Sequence, residues 1–131
     1  MKRLVTLITL ILVNCLAQAE DSSAFQATIN ANGEQEVRIE ASSYTYSPNN
    51  IIVKSGIPVV LKINKVGLIP HDFIINDPAS GIVIQEKLGK ATEIRFTPQN
   101  IGEFPFYCGK KLLFSKSHQE KGMHGVLRVQ E

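Results

Sequence analysis

The chain has 131 residues, enough for one domain with a real core, and a formal net charge of +2. Lys2 and Arg3 lie in the first nineteen residues, and without that stretch the remaining basic residues only equal the 12 acidic ones. A balance so even argues against a nucleic-acid partner, which calls for a strong basic excess.

Those first residues read as a secretory signal peptide. A positive start at Lys2 and Arg3 precedes an apolar stretch from Leu4 to Leu16, and Ala17-Gln18-Ala19 is a small-x-small cleavage site. The expectation is a leader over 1–19, cut after Ala19, and a single domain over 20–131 in the periplasm or an equivalent exported space. The apolar run is short for a membrane span, so no span is expected in the mature chain. A retained anchor and lipidation at Cys15 are the weaker alternatives. With the leader gone, Cys108 is the sole cysteine. A lone thiol in an oxidising compartment is buried and inert, paired with another chain, or bound to something.

The rest reads as strands and turns. Residues 20–33 hold an edge strand around Ala27 to Asn30 or are partly loose. Val37, Ile39 and Ala41 alternate with Glu36, Arg38 and Glu40, a half-buried strand. Ser47-Pro48-Asn49-Asn50 is a turn, Ile51 to Val53 a short strand, and Lys54-Ser55-Gly56 its break. Strands are predicted over Val59 to Ile63, His71 to Ile75, Ile82 to Ile84, Glu93 to Phe96, Gly102 to Cys108 and Val126 to Val129. No window has a capped helical period. Short strands at this spacing predict an all-β sandwich or barrel. Pro105 cannot donate to a ladder, so its strand should have an edge or a bulge there.

Side chains two apart share a strand face. His71 therefore goes with Phe73 and Ile75, and Cys108 with Phe104 and Phe106. If those apolar residues point into the core, a nitrogen and a sulfur meet at one end of the sandwich. Cys108, His118 and Met123 fall within sixteen residues on the last long connection, and His71 comes from an earlier strand end. Two imidazoles, a thiolate and a weak thioether are the donor set of an electron-transfer copper site, soft enough for Cu(I) and nitrogenous enough for Cu(II). Taken singly, each has a plainer reading: a strand-end histidine, a buried thiol, core filler, a surface histidine. It is the order His, Cys, His, Met that points to one copper per chain, cycling between Cu(II) and Cu(I). His124 is the rival to Met123 or His118, and is expected to be exposed.

Pro70-His71-Asp72-Phe73, Phe106-Tyr107-Cys108 and Gly122-Met123-His124-Gly125 resemble the copper-binding segments of the cupredoxin family, which includes plastocyanins, pseudoazurins and azurins. The likeness covers roughly Ser47 to Gln130. It implies a Greek-key β-sandwich, with His71 the ligand from the separate strand end and Cys108 the thiolate. His118 would be the solvent-edge histidine and Met123 the axial ligand. It implies single-electron transfer between larger redox proteins. Two departures stand out. Nine residues, Gly109 to Ser117, separate cysteine from second histidine, where small blue proteins have only a few, and Asp72 stands where asparagine is common. The long spacing implies altered reach for His118 and a greenish or red site.

Lys110, Lys111, Lys116 and Lys121 surround the expected copper, with Leu112, Leu113 and Phe114 among them. The plainer expectation is a solvated loop with its apolar residues tucked under it. The functional one is a docking patch for a redox protein with an acidic rim, such as a c-type cytochrome or an oxidase. A monomeric electron carrier is expected, and a copper-delivery protein is the alternative. An enzyme such as a nitrite reductase or oxidase is disfavoured, because the chain has only three histidines.

Overall fold

The computed structural model describes residues 23–131, so the expected leader and its cleavage site lie outside the described residues. Among the described residues eleven strands form two sheets. In chain order they are β1 Phe25–Gln26, β2 Thr28–Ile29, β3 Gln35–Ser42, β4 Thr45–Ser47, β5 Asn50–Lys54, β6 Val59–Lys65, β7 Asp72–Asp77, β8 Ile82–Lys87, β9 Ala91–Phe96, β10 Gly102–Tyr107 and β11 His124–Gln130. One sheet runs β1-β5-β11-β10-β7-β8 and the other β2-β3-β6-β9. β4 joins the second sheet beside the end of β3, on the edge where β2 pairs with its start. Among the described residues no helix is long and apolar enough to cross a membrane.

Alternation in the sequence becomes burial in the fold. Val37, Ile39 and Ala41 are buried while Arg38 and Glu40 face solvent. They pack with Leu61, Ile63 and Ile94 of their own sheet and with Phe73, Phe104, Phe106, Leu127 and Val129 of the other. The centre is aromatic: Phe73 and Phe106 stack at 4.9 Å between centroids, and Tyr46 meets both edge-on at 5.7 and 5.4 Å. Gly125 lets this happen. A Cβ there would lie 2.3 Å from both the Phe106 ring and the Asn49 carbonyl, so no side chain fits.

At the far end of the sandwich, buried Gln35 is fully engaged. Its amide donates to the Lys54 and Ile57 carbonyls and accepts from the Lys54 N–H, which settles the cost of a buried polar group. The predicted edge strand before β3 is two short pieces, β1 and β2, one on each sheet. Pro105 sits in an interior strand, not an edge one. Yet β10 is registered with β7 only at Tyr107 opposite Ile74, so at Pro105 the side towards β7 has no registered partner. The missing donor is tolerated because the strand is locally edge-like.

Several elements end together at the other pole. β3 closes at Ala41–Ser42, opposite the end of β6 at Lys65; β9 begins there, and β10 ends opposite the start of β11, Tyr107 facing His124. His71 immediately precedes β7 and Cys108 immediately follows β10. The topology thus brings two chemistry-bearing residues, far apart in sequence, to one end of the core.

Candidate metal centre

His71 is the last residue before β7, and its carbonyl accepts the Leu88 N–H, which fixes it to the neighbouring strand end. It lies on the face of Phe73 and Ile75, as parity requires, and is 1% exposed. Cys108 continues the buried face of Phe104 and Phe106 and is fully buried. The connection from 109 to 122 then folds back on itself. The His118 N–H donates to the Lys110 carbonyl, Met123 N–H to the His118 carbonyl, and Cys108 N–H to the Met123 carbonyl. These three backbone bonds tie the second histidine and the methionine to the cysteine. Met123 is fully buried, and His124, beginning β11, is exposed.

The donor atoms converge. His71 Nδ1 and His118 Nδ1 lie 3.2 Å apart, with Cys108 Sγ at 3.9 and 3.5 Å from them. His71, Cys108 and His118 are all buried, with ligand atoms within 4.8 Å of one another. A triangle with those sides has a centre about 2.1 Å from each corner, close to the roughly 2.0–2.3 Å of metal–imidazole and metal–thiolate bonds. The residues therefore fit a trigonal His₂Cys ion, with both imidazoles presenting Nδ1. Buried Met123 is available on the same loop.

The surroundings shape the thiol. Burial pushes Cys108 up from its ordinary 9.0, and backbone N–H groups of Asp72 and Lys110 oppose it by favouring the thiolate. The Asp72 N–H reaches the sulfur at 3.5 Å. The Asp72 carboxylate braces the cysteine turn, accepting the Gly109 N–H at 2.6 Å, and its charge faces Lys110 Nζ at 4.0 Å. The cysteine turn is thus braced by a carboxylate that has its own cation. A Cβ at Gly109 would lie 2.9 Å from the end of the Ile74 side chain, so a larger residue there obliges that side chain to shift. The Tyr46 hydroxyl donates to the Asp72 carbonyl, and burial together with Cys108 and Asp72 raises its pKa.

Both imidazoles are held below their ordinary 6.5, chiefly by burial, with like charge adding to it: His118 and Lys65 at His71, Lys121 and Lys110 at His118. The linkage has a definite sign. Below about pH 6.5 the unfolded chain takes up protons that the folded histidines refuse, so metal-free stability falls as pH drops through that value. The thiol acts at the other limb: above about pH 9 the unfolded chain loses a proton that the folded one keeps, and stability falls again. Urea midpoints of the metal-free protein are expected to show a plateau between those limits, and a midpoint that keeps climbing as pH falls below about 6 runs against buried neutral imidazoles.

Two expectations are corrected. His118 is not at the solvent edge but 1% exposed. Tyr44, which sequence reasoning did not single out, covers it, ring centroids 4.8 Å apart and edge-on. Nor do the apolar loop residues tuck underneath. Leu112, Leu113 and Phe114 are exposed, Phe114 completely. A bridge between Lys111 and Ser117 pinches the loop, and Phe114, with φ of 59°, turns its tip outward. The long spacing therefore adds an excursion pinched at its base, and His118 Nδ1 lies 3.5 Å from Cys108 Sγ across it.

A family model of the cupredoxin-like domain matches residues 5–129. The chain belongs to the cupredoxin-like family, and the sandwich with its His-Cys-His cluster agrees. The metal-binding domain of the Cu(I)-exporting P-type ATPase CopA of Streptococcus pneumoniae D39, solved with Cu(I), is similar at 27% identity and a TM-score of 0.64, over 82% of this chain and 96% of that one. A copper-binding protein solved in its apo form by NMR is similar at 26% identity and a TM-score of 0.57, over 80% and 95%. A reduced auracyanin from Roseiflexus castenholzii shares the fold at 19% identity and a TM-score of 0.53, over 73% and 97%. No curated protein matches.

Proposed function

We propose that this is a mononuclear copper protein that carries single electrons between larger redox proteins, with His71, Cys108 and His118 as the trigonal ligands and Met123 as the axial one. The observation that carries it is the buried triangle of two Nδ1 atoms and one Sγ, already at metal-bonding size. Copper bound there supplies a one-electron Cu(II)/Cu(I) couple. The chain's part is to hold the donors so that neither oxidation state demands rearrangement, to keep water out, and to stabilise the thiolate through the Asp72 and Lys110 N–H groups. Three histidines leave too few for a second copper cluster, so a carrier is favoured over an enzyme.

The deciding experiment is visible absorption and EPR of the purified protein after Cu(II) addition. An intense thiolate-to-copper band, one copper per chain and a reversible potential support the reading. A pale spectrum with only weak bands overturns it. Met123→Leu is expected to keep copper bound while raising the potential, since a weak axial donor is lost. An unchanged potential removes Met123 from the ligand set.

The exposed tip Leu112-Leu113-Phe114, with Lys110, Lys111, Lys116 and Lys121 about it, is the surface on which a partner with an acidic rim would dock. Charge steering makes the rate of electron transfer to such a partner fall steeply with added salt. A salt-independent rate argues for another face. Delivery of copper without redox traffic is the second reading, favoured by the likeness to the metal-binding domain of a Cu(I) exporter. Rapid loss of Cu(I) to a competing chelator supports that reading, and slow loss supports the carrier.

A further inference from the structure

All four donors are sealed. His71 and His118 are 1% exposed, and Cys108 and Met123 are fully buried, so neither an ion nor a small ligand reaches them until something moves. Tyr44 packs against both imidazoles. Its ring meets His118 edge-on at 4.8 Å and His71 edge-on at 6.4 Å, and Lys121 Nζ lies 4.4 Å from its centroid.

The backbone under Tyr44 is unusual. Ser43 and Tyr44 are the two central residues of the β3–β4 hairpin, closed by Ser42 opposite Thr45. Both have positive φ, 27° and 66°. That is the sense of turn that normally recruits asparagine and glycine, and a bulky ring in the left-handed region is strained. The strain buys nothing for the hairpin, which glycine would close more easily. What it achieves is to aim an aromatic ring at the two histidines. Lys121 comes from the other side, on the ligand loop, where its N–H donates to the Ser117 and His118 carbonyls. The pair therefore joins a hairpin of one sheet to the ligand loop of the other, across the mouth of the site.

We propose that Tyr44, steadied by Lys121, is the cap that sets how fast metal enters and leaves this site and keeps small ligands off it. The proposal rests on the metal-binding reading, but the closure itself is a property of the metal-free chain. Tyr44 touches ligands and not metal, so it governs rates and leaves affinity nearly alone. Side-chain rotation at an exposed hairpin tip is a local opening that does not require the sandwich to unfold.

The test uses the full chain with Cys15→Ser, which makes Cys108 the only thiol. Tyr44→Gly suits the left-handed backbone; Tyr44→Phe keeps the ring; Lys121→Met removes the cation. Alkylation of Cys108 by iodoacetamide in the metal-free protein is expected to speed up about tenfold or more in Tyr44→Gly, less in Lys121→Met and scarcely in Tyr44→Phe, because the reaction follows local opening. In the copper-loaded protein, transfer of Cu(I) to bicinchoninate and reloading should both accelerate in Tyr44→Gly, leaving the equilibrium affinity within about threefold. Thermal melts of each variant separate local opening from global loss of fold. Unchanged alkylation in a folded Tyr44→Gly overturns the proposal. So does a faster release with no faster loading, which makes Tyr44 a support for His118 and not a cap. If the chain takes up no copper, the metal-binding reading fails by itself, and the alkylation rates still decide whether Tyr44 closes the pocket.

Discussion

Replacing Cys108 with serine is expected to remove the intense visible band of the copper-loaded protein completely. That band requires a bond between copper and a thiolate, and Cys108 is the sulfur at 3.9 and 3.5 Å from the two imidazole nitrogens. A serine hydroxyl in its place is hard, difficult to deprotonate, and a poor match for Cu(I). Affinity should fall by more than roughly 100-fold, the upper range seen when only a supporting group around a metal is removed. The fold should survive, since Asp72 and Gly109 can keep the turn in place through their own hydrogen bond. Titration with Cu(I) against a chelator, with circular dichroism to check folding, measures both. A persisting band would falsify the ligand assignment outright.

Phe106→Ala is expected to have the largest effect on stability. Phe106 is fully buried, stacks on Phe73, meets Tyr46 edge-on and fills the space that Gly125 leaves open. Truncating a buried phenylalanine costs about 3–5 kcal/mol, through lost burial and the cavity left behind. Against the roughly 5–15 kcal/mol that holds a typical domain together, that is a large share. The urea midpoint of the metal-free protein should fall sharply at unchanged slope. The damage should also reach the site, because Phe106 and Cys108 share one strand face. A loss below about 1 kcal/mol would mean that the ring's neighbours collapse into the gap.

Much of this was legible from periodicity. Val37, Ile39 and Ala41 declare their strand because only one face of it is buried. The same two-residue rule puts His71 with Phe73 and Cys108 with Phe106, and so places nitrogen and sulfur at one pole of the core. Strand β4 escaped notice because it has three residues and one buried side chain, Tyr46. Tyr44 was invisible for a different reason. Ser43-Tyr44 carries none of the glycine or asparagine that marks a mirror-image turn, so nothing local says that the chain reverses there. His118 looked like a surface residue among lysine, serine and glutamine. Its place is decided by the fold of its own loop, which sets the Lys110 carbonyl behind it, and by the Tyr44 ring, distant in sequence, above.

The pinch between Lys111 and Ser117 divides the long connection into two parts with separate duties. Residues inside it, towards Cys108 and His118, hold donor atoms and admit little change. Residues 112–116, outside it, touch solvent and carry the apolar tip. Lengthening, shortening or recolouring that outer segment leaves the triangle of donors where it is. The outer segment can therefore change by insertion or substitution beyond the bridge, without disturbing the centre beneath it. The exposed tip and the buried donors, adjacent in sequence, are free to evolve on separate clocks.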